Sequence, residues 1–216
     1  MGKRAGRLSF WLLLLAWLTA IVLGFRFLSG YEGKAGSGAA VASFPQGLSP
    51  ALSLDPSRKN LILVAHPRCP CTGATLDELI EIMTACRNEL HVSVLFTVPA
   101  GESQAGWVDS HLEREARRIP GVTVVDDPDG KMAARLGAAV SGVALLFDGR
   151  GKLLFSGGIT EARGHRGPND GRESVIALVQ GRPAAALRTP VFGCALVGSG
   201  LQAGMGNDSG KTEKKL

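Results

Sequence analysis

Cysteine is the first scarcity. Cys69, Cys71, Cys86 and Cys194 are the only four in 216 residues, too few to staple a domain of this size. A disulfide-scaffolded secreted fold is excluded, and cysteine points instead to redox or metal chemistry. Aromatic residues are sparse, with a single tyrosine, and none is interleaved with the basic clusters at the N-terminus, at 114–118 and at 211–215. A nucleic-acid surface is therefore not read; the net charge of +5 belongs to a charged helix face and two solvated ends. No internal repeat is visible, which excludes a solenoid.

Glycine, by contrast, is abundant, and much of it falls in 30–47 and 193–210, segments with the character of linker or tail. Before the first of them lies an uncharged apolar run, 8–25, preceded by Lys3, Arg4 and Arg7. Its length is close to the lower limit of the roughly 17–25 residues that span a bilayer. The basic residues ahead of it predict an N-inside orientation, with Trp11, Trp17 and Tyr31 suited to interfacial or upper-chain positions. A cleaved signal peptide would require a shorter core followed by small residues, whereas Phe25-Arg26-Phe27-Leu28 follows here. The expected organisation is a basic cytoplasmic end (1–7), a transmembrane anchor (8–28) and a flexible Gly/Ala/Ser/Pro linker (29–57), then a folded domain (58–182), an extension (183–205) and a disordered tail (206–216).

The stretch 60–79 carries the chemistry. Leu61-Ile62-Leu63-Val64 reads as a buried strand, broken at His66-Pro67-Arg68-Cys69-Pro70-Cys71. A helix is expected from Thr72 to about Leu90, with Thr72 or Thr75 as N-cap. The free N–H groups of a helix start lower a nearby thiol's pKa and raise its thiolate fraction. Onward, the pattern predicts a strand at 91–98 ended by Pro99-Ala100-Gly101, an amphipathic helix at 107–119, a strand at 122–126, a brief helix at 131–136, a β-hairpin around Asp148-Gly149-Arg150-Gly151, and a last helix near 173–179. The first three strands, linked by helices, should be parallel, and the hairpin antiparallel.

This α/β order, with cysteines between the first strand and first helix, resembles the thioredoxin fold over about 58–182. HPRCPCTGATLDEL and GVALLFDGRGKLLFSGG are similar to a membrane-anchored, RedB-like bacterial branch. The resemblance implies a central mixed sheet with flanking helices behind one N-terminal transmembrane helix, and a thiol–disulfide function. Two departures stand out. The usual Cys-x-x-Cys is replaced by Cys69-Pro70-Cys71, and the proline expected before the fourth strand is missing, with Ser141-Gly142 in its place.

Cys69 and Cys71 are the candidate catalytic pair, shaped by His66, Pro67, Pro70, Thr72, Gly142 and His165. A disulfide within Cys-x-Cys closes a very small ring and would be strained and oxidising. The alternative is a soft Cu(I) or Zn site using the same cysteines and an imidazole; a third is a non-catalytic interaction domain. The loop 158–171, with Arg163, His165 and Arg166, should overhang the cysteines. Cys86 reads as a buried small hydrophobe. Cys194 lies in an apolar segment that docks on the domain, as a packed cysteine or a third thiol partner. Expected partners are the membrane and a protein thiol or disulfide, with a metal ion in the alternative reading; no resident cofactor and no nucleic acid are expected. The expected location is a bacterial inner membrane, single-pass, with the domain facing the periplasm or exterior.

Overall fold

The computed structural model describes residues 2–32, 35–36, 41–86, 88–98, 107 and 109–196. The predicted tail at 206–216, the extension beyond 196 and the strand stop at 99–101 lie outside the described residues. The chain divides into two compact units, 1–34 and 35–216.

The first unit is one helix, α1 (Gly2–Glu32). Within it Ser9–Gly30, 22 residues of mean hydropathy 2.1, is long and apolar enough to cross a membrane. Large apolar side chains such as Leu13, Phe25 and Phe27 are exposed along it, as lipid contact demands and water would penalise.

The second unit is built on β1 (Lys59–Ala65), α2 (Pro70–Cys86), β2 (Leu90–Val98), α3 (His111–Arg118), β3 (Val122–Pro128), α4 (Lys131–Arg135), β4 (Ala144–Phe147), β5 (Leu153–Gly157) and α5 (Asp170–Val179). The sheet order is β3-β2-β1-β4-β5. β1, β2 and β3 are mutually parallel, β4 runs antiparallel to β1, and β5 antiparallel to β4. β1 and β5 therefore end on the same side, above the start of α2.

Strand periodicity divides the core. Leu61, Leu63, Val92, Val94 and Phe96 face Leu79, Ile82, Phe155 and Val175 on one side of the sheet. Ile62, Val64, Leu95, Leu145 and Phe147 face Leu136, Val140 and Leu52 on the other. The hairpin turns as its sequence predicts, with Asp148 Oδ1 accepting from the N–H groups of Arg150 and Lys152 and Gly151 at φ 82°.

Three local expectations are corrected. The helix α2 starts at Pro70, not Thr72: proline suits the first helical position, where its missing N–H is not needed. Thr72 and Thr75 consequently bond back to the carbonyls of His66 and Cys71 rather than capping. α2 also ends at Cys86, short of Leu90. α3 starts at His111, because Ser110 accepts from Glu113 N–H as its N-cap, so Trp107 lies outside the helix.

The segment expected as linker is packed along much of its length. Phe44 N–H donates to Gly151 O and Leu153 N–H to Ala42 O, the Phe44 ring meets Phe147 edge-on at 5.7 Å, and Leu52 is buried. Its few apolar residues, unreadable as a period, cover the sheet face that α4 alone is too short to cover.

Candidate functional site

Cys69 immediately precedes α2 and is fully buried. Its sulfur lies 2.9 Å from that of Cys194, which is partly exposed; all four cysteines are free thiols. Burial pushes the Cys69 thiol up, but the Cys194 thiol and the backbone N–H groups of Cys194, Cys71 and Thr72 offset this and hold it below the ordinary cysteine range. Cys194 is pushed up to about 12, by burial, by its hydrogen bond with Cys69 and by the negative charge there. Cys71 is also raised, by burial first and then by the neighbouring Cys69, against the pull of the Arg163 guanidinium and Gly164 N–H. One thiolate is thus favoured, on Cys69, with two protonated thiols beside it.

The segment bearing Cys194 is built into the domain as a strap. Ser156 N–H donates to Leu187 O, Thr189 N–H to Ser156 O and Gly158 N–H to Pro190 O along β5. Farther on, Ser141 N–H donates to Cys194 O at 2.8 Å and Leu196 N–H to Ala139 O at 3.0 Å, an antiparallel pairing centred on Val140 and Ala195. The strap therefore lies on the chain just before β4. Glycines permit the approach: a Cβ on Gly193 would collide with the Ser141 carbonyl, and one on Gly158 with that of Pro190.

The floor of the site is a polar network. Ser141 Oγ accepts from His66 N–H at 3.3 Å and lies 3.0 Å from Thr72 Oγ1, which donates to His66 O. Gly142, at φ 88°, donates its N–H to Val64 O at 2.7 Å; that left-handed conformation is one that side chains resist. Ser141-Gly142 thereby leaves Ser141 N–H available to the strap, which a proline at that position could not offer.

Over the site, Arg163 donates to Gly193 O at 2.7 Å, so the loop after β5 does reach the cysteines, through Arg163 and Gly164. His165 is exposed in that loop, and Arg166 pairs with Asp77 at 2.7 Å. The loop is tied to α2 by buried Glu78, which accepts from Gly167 N–H at 2.6 Å and pairs with Arg172 at 2.7 Å. His66 is half-buried, its Nδ1 accepting from Arg68 N–H; burial, then the Arg68 charge, lowers its pKa. Its ring meets Trp107 edge-on at 5.6 Å, and the Arg68 guanidinium stacks on the same indole at 3.9 Å. Pro67 is buried and Pro70 exposed. Cys86 is buried within the core on the α2 side of the sheet.

Among the described residues no group of three or more His, Cys, Asp or Glu side chains is arranged to hold an ion, and the His66 nitrogen aimed at the loop is already bonded. Trp107, Arg68 and Ser141 were not legible as site residues. Only the placement of Ser141 just before the fourth strand, where the resemblance expects a proline, could have signalled one of them.

No family model matches the chain, and no curated protein matches it. Solved structures do. A hypothetical protein from Sinorhizobium meliloti 1021 is similar at 21% identity and TM-score 0.53, covering 76% of this chain and 93% of that one. An uncharacterized conserved protein from Geobacillus kaustophilus is similar at 19% identity and TM-score 0.52, covering 76% and 90%. A secreted Mycobacterium tuberculosis disulfide oxidoreductase is more distant, at 17% identity and TM-score 0.37, covering 46% and 68%. With three parallel strands, an antiparallel hairpin on the β1 edge and cysteines at the start of the helix after β1, the chain has the thioredoxin-like fold.

Proposed function

We propose that this is a membrane-anchored thiol–disulfide redox protein, of the RedB-like kind, whose working pair is Cys69 and Cys194, with Cys71 as an auxiliary thiol. The observation that carries this reading is the 2.9 Å separation of the Cys69 and Cys194 sulfurs at a helix start that favours the Cys69 thiolate. The pairing also avoids the small ring that a Cys69–Cys71 disulfide requires. The apolar helix, with Lys3, Arg4 and Arg7 ahead of it, supports a single-pass anchor with the thiol domain on the periplasmic or outer side. There a disulfide persists, and the partner is a protein thiol or disulfide.

The test is a redox titration of the full-length protein in detergent, read by mass-shift alkylation. A two-electron transition is expected in the wild type and in Cys71→Ser, and its loss in Cys69→Ser and Cys194→Ser. A transition kept in Cys194→Ser but lost in Cys71→Ser assigns the pair to Cys69-Pro70-Cys71 instead. No transition in the wild type sinks the redox reading. Stoichiometric Cu(I) binding lost in Cys71→Ser would put a metal role in its place.

A further inference from the structure

We propose that external thiols enter and leave this site through Cys194, the strap cysteine, and that the helix-start cysteine Cys69 is the buried member that never meets the partner directly. This rests on the Cys69–Cys194 pairing proposed above and reverses the usual division of labour, in which the cysteine at the helix start is the one presented to the partner.

Four features of the geometry lead there. Cys69 is exposed 0%, so no partner sulfur can approach it in line while the strap is seated. The strap is not lying loosely across the opening: it is held by backbone bonds from Ser141, Gly158 and Leu196 and by Arg163 on Gly193 O, with Gly193 set against the Ser141 carbonyl where any side chain would collide. It also occupies the chain edge before β4, which an incoming extended peptide would otherwise pair with. Of the two cysteines, the one partly exposed is Cys194.

In the oxidised protein, a thiolate of an external dithiol attacks the Cys194 sulfur. A new S–S bond forms between the partner and Cys194, the Cys69–Cys194 bond breaks, and its electron pair leaves on Cys69 as thiolate. Cys69 is the better leaving group, since its thiolate is stabilised by the Cys71 and Thr72 N–H groups, and a lower leaving-group pKa speeds exchange. The partner's second thiol then attacks the partner sulfur of the mixed disulfide, releasing Cys194, which takes a proton. The partner dithiol is oxidised by two electrons and the protein's disulfide reduced to Cys69 thiolate and Cys194 thiol.

The test uses the full-length protein in detergent, oxidised with glutathione disulfide. A non-reducing peptide map first establishes whether the Cys69–Cys194 cross-link is present. The oxidised protein is then exposed briefly to reduced glutathione as the monothiol probe, quenched in acid, alkylated and mapped by mass spectrometry. Glutathione is expected on the Cys194 peptide in at least about tenfold excess over the Cys69 peptide, with Cys69 recovered alkylated, since an S–S bond cleaved at one sulfur leaves the other as free thiolate. With the cross-link present, glutathione chiefly on Cys69 overturns the entry route and leaves the pairing intact. Absence of the cross-link overturns the pairing and the entry route together.

Discussion

Gly193→Ala should make the site's disulfide markedly more oxidising. The added methyl meets the Ser141 carbonyl, which is backbone and cannot swing aside. In the reduced protein the strap escapes the collision by undocking, at the cost of its pairing before β4. In the disulfide form the covalent link to Cys69 holds it there, and the collision must be borne. Undocking costs at least the two backbone bonds just beyond the residue, Ser141 N–H to Cys194 O and Leu196 N–H to Ala139 O, and the Arg163 bond to Gly193 O. At about 1 kcal/mol net each, undocking costs the reduced form about 3 kcal/mol, and the disulfide form is penalised relative to it by what the collision costs beyond that. For a two-electron couple about 1.4 kcal/mol corresponds to 30 mV, so the midpoint should rise by about 30 mV for every 1.4 kcal/mol of that excess. Equilibration with glutathione buffers and alkylation of the full-length protein reads this directly. A midpoint within about 10 mV of wild type would show that strap seating and disulfide formation are uncoupled, and would refute the reasoning.

Other consequences can be checked in parallel. Forming the Cys69–Cys194 disulfide closes a loop spanning 125 positions, which by the chain-entropy relation raises stability by up to about 5 kcal/mol; urea unfolding of oxidised and reduced protein should separate accordingly, and coincident curves would deny the link. Thiolate absorbance should titrate below the ordinary cysteine range in the wild type and lose that component in Cys69→Ser. Because this folded-state pKa is depressed, the stability it contributes is complete above the pKa of the unfolded thiol and is lost as pH falls through the folded value. Glu78→Gln removes one of the two carboxylates paired with Arg172, Glu173 being the other, and should cost about 1.5–3 kcal/mol in denaturant unfolding. Asp127→Ala removes the acceptor for Met132 and Ala133 N–H at the start of α4 and should cost about 1–2 kcal/mol by the same measurement.

Much of the fold was legible because it is written in local periods. β1 alternates between two cores, the hairpin announces its turn, and Gly130 and Gly137 bracket a short helix. The activated position of Cys69 was legible too, although through the wrong cap: the pattern favoured threonines, while Pro70 at the first helical position moves the start back onto the cysteine. What was not legible is non-local. Residues 41–54 carry apolar side chains at no fixed spacing, and only the uncovered face of the sheet tells where they go. The partner of Cys69 stands 125 positions away, beyond the last helix and beside glycines that look like tail. A collision-free approach of two backbones, which is what Gly193 provides, leaves no periodic trace.

That distance also sets an order of events during synthesis. Cys69, Cys71 and Cys86 leave the ribosome long before Cys194, and every strand and helix of the sheet domain precedes it. A nascent chain can complete its fold while its helix-start thiol still has no counterpart. A product cut short after α5 would retain the sheet and the apolar helix yet leave Cys69 uncovered, open to whichever thiol arrives first. The strap thus completes the site only after every strand of the sheet has been made.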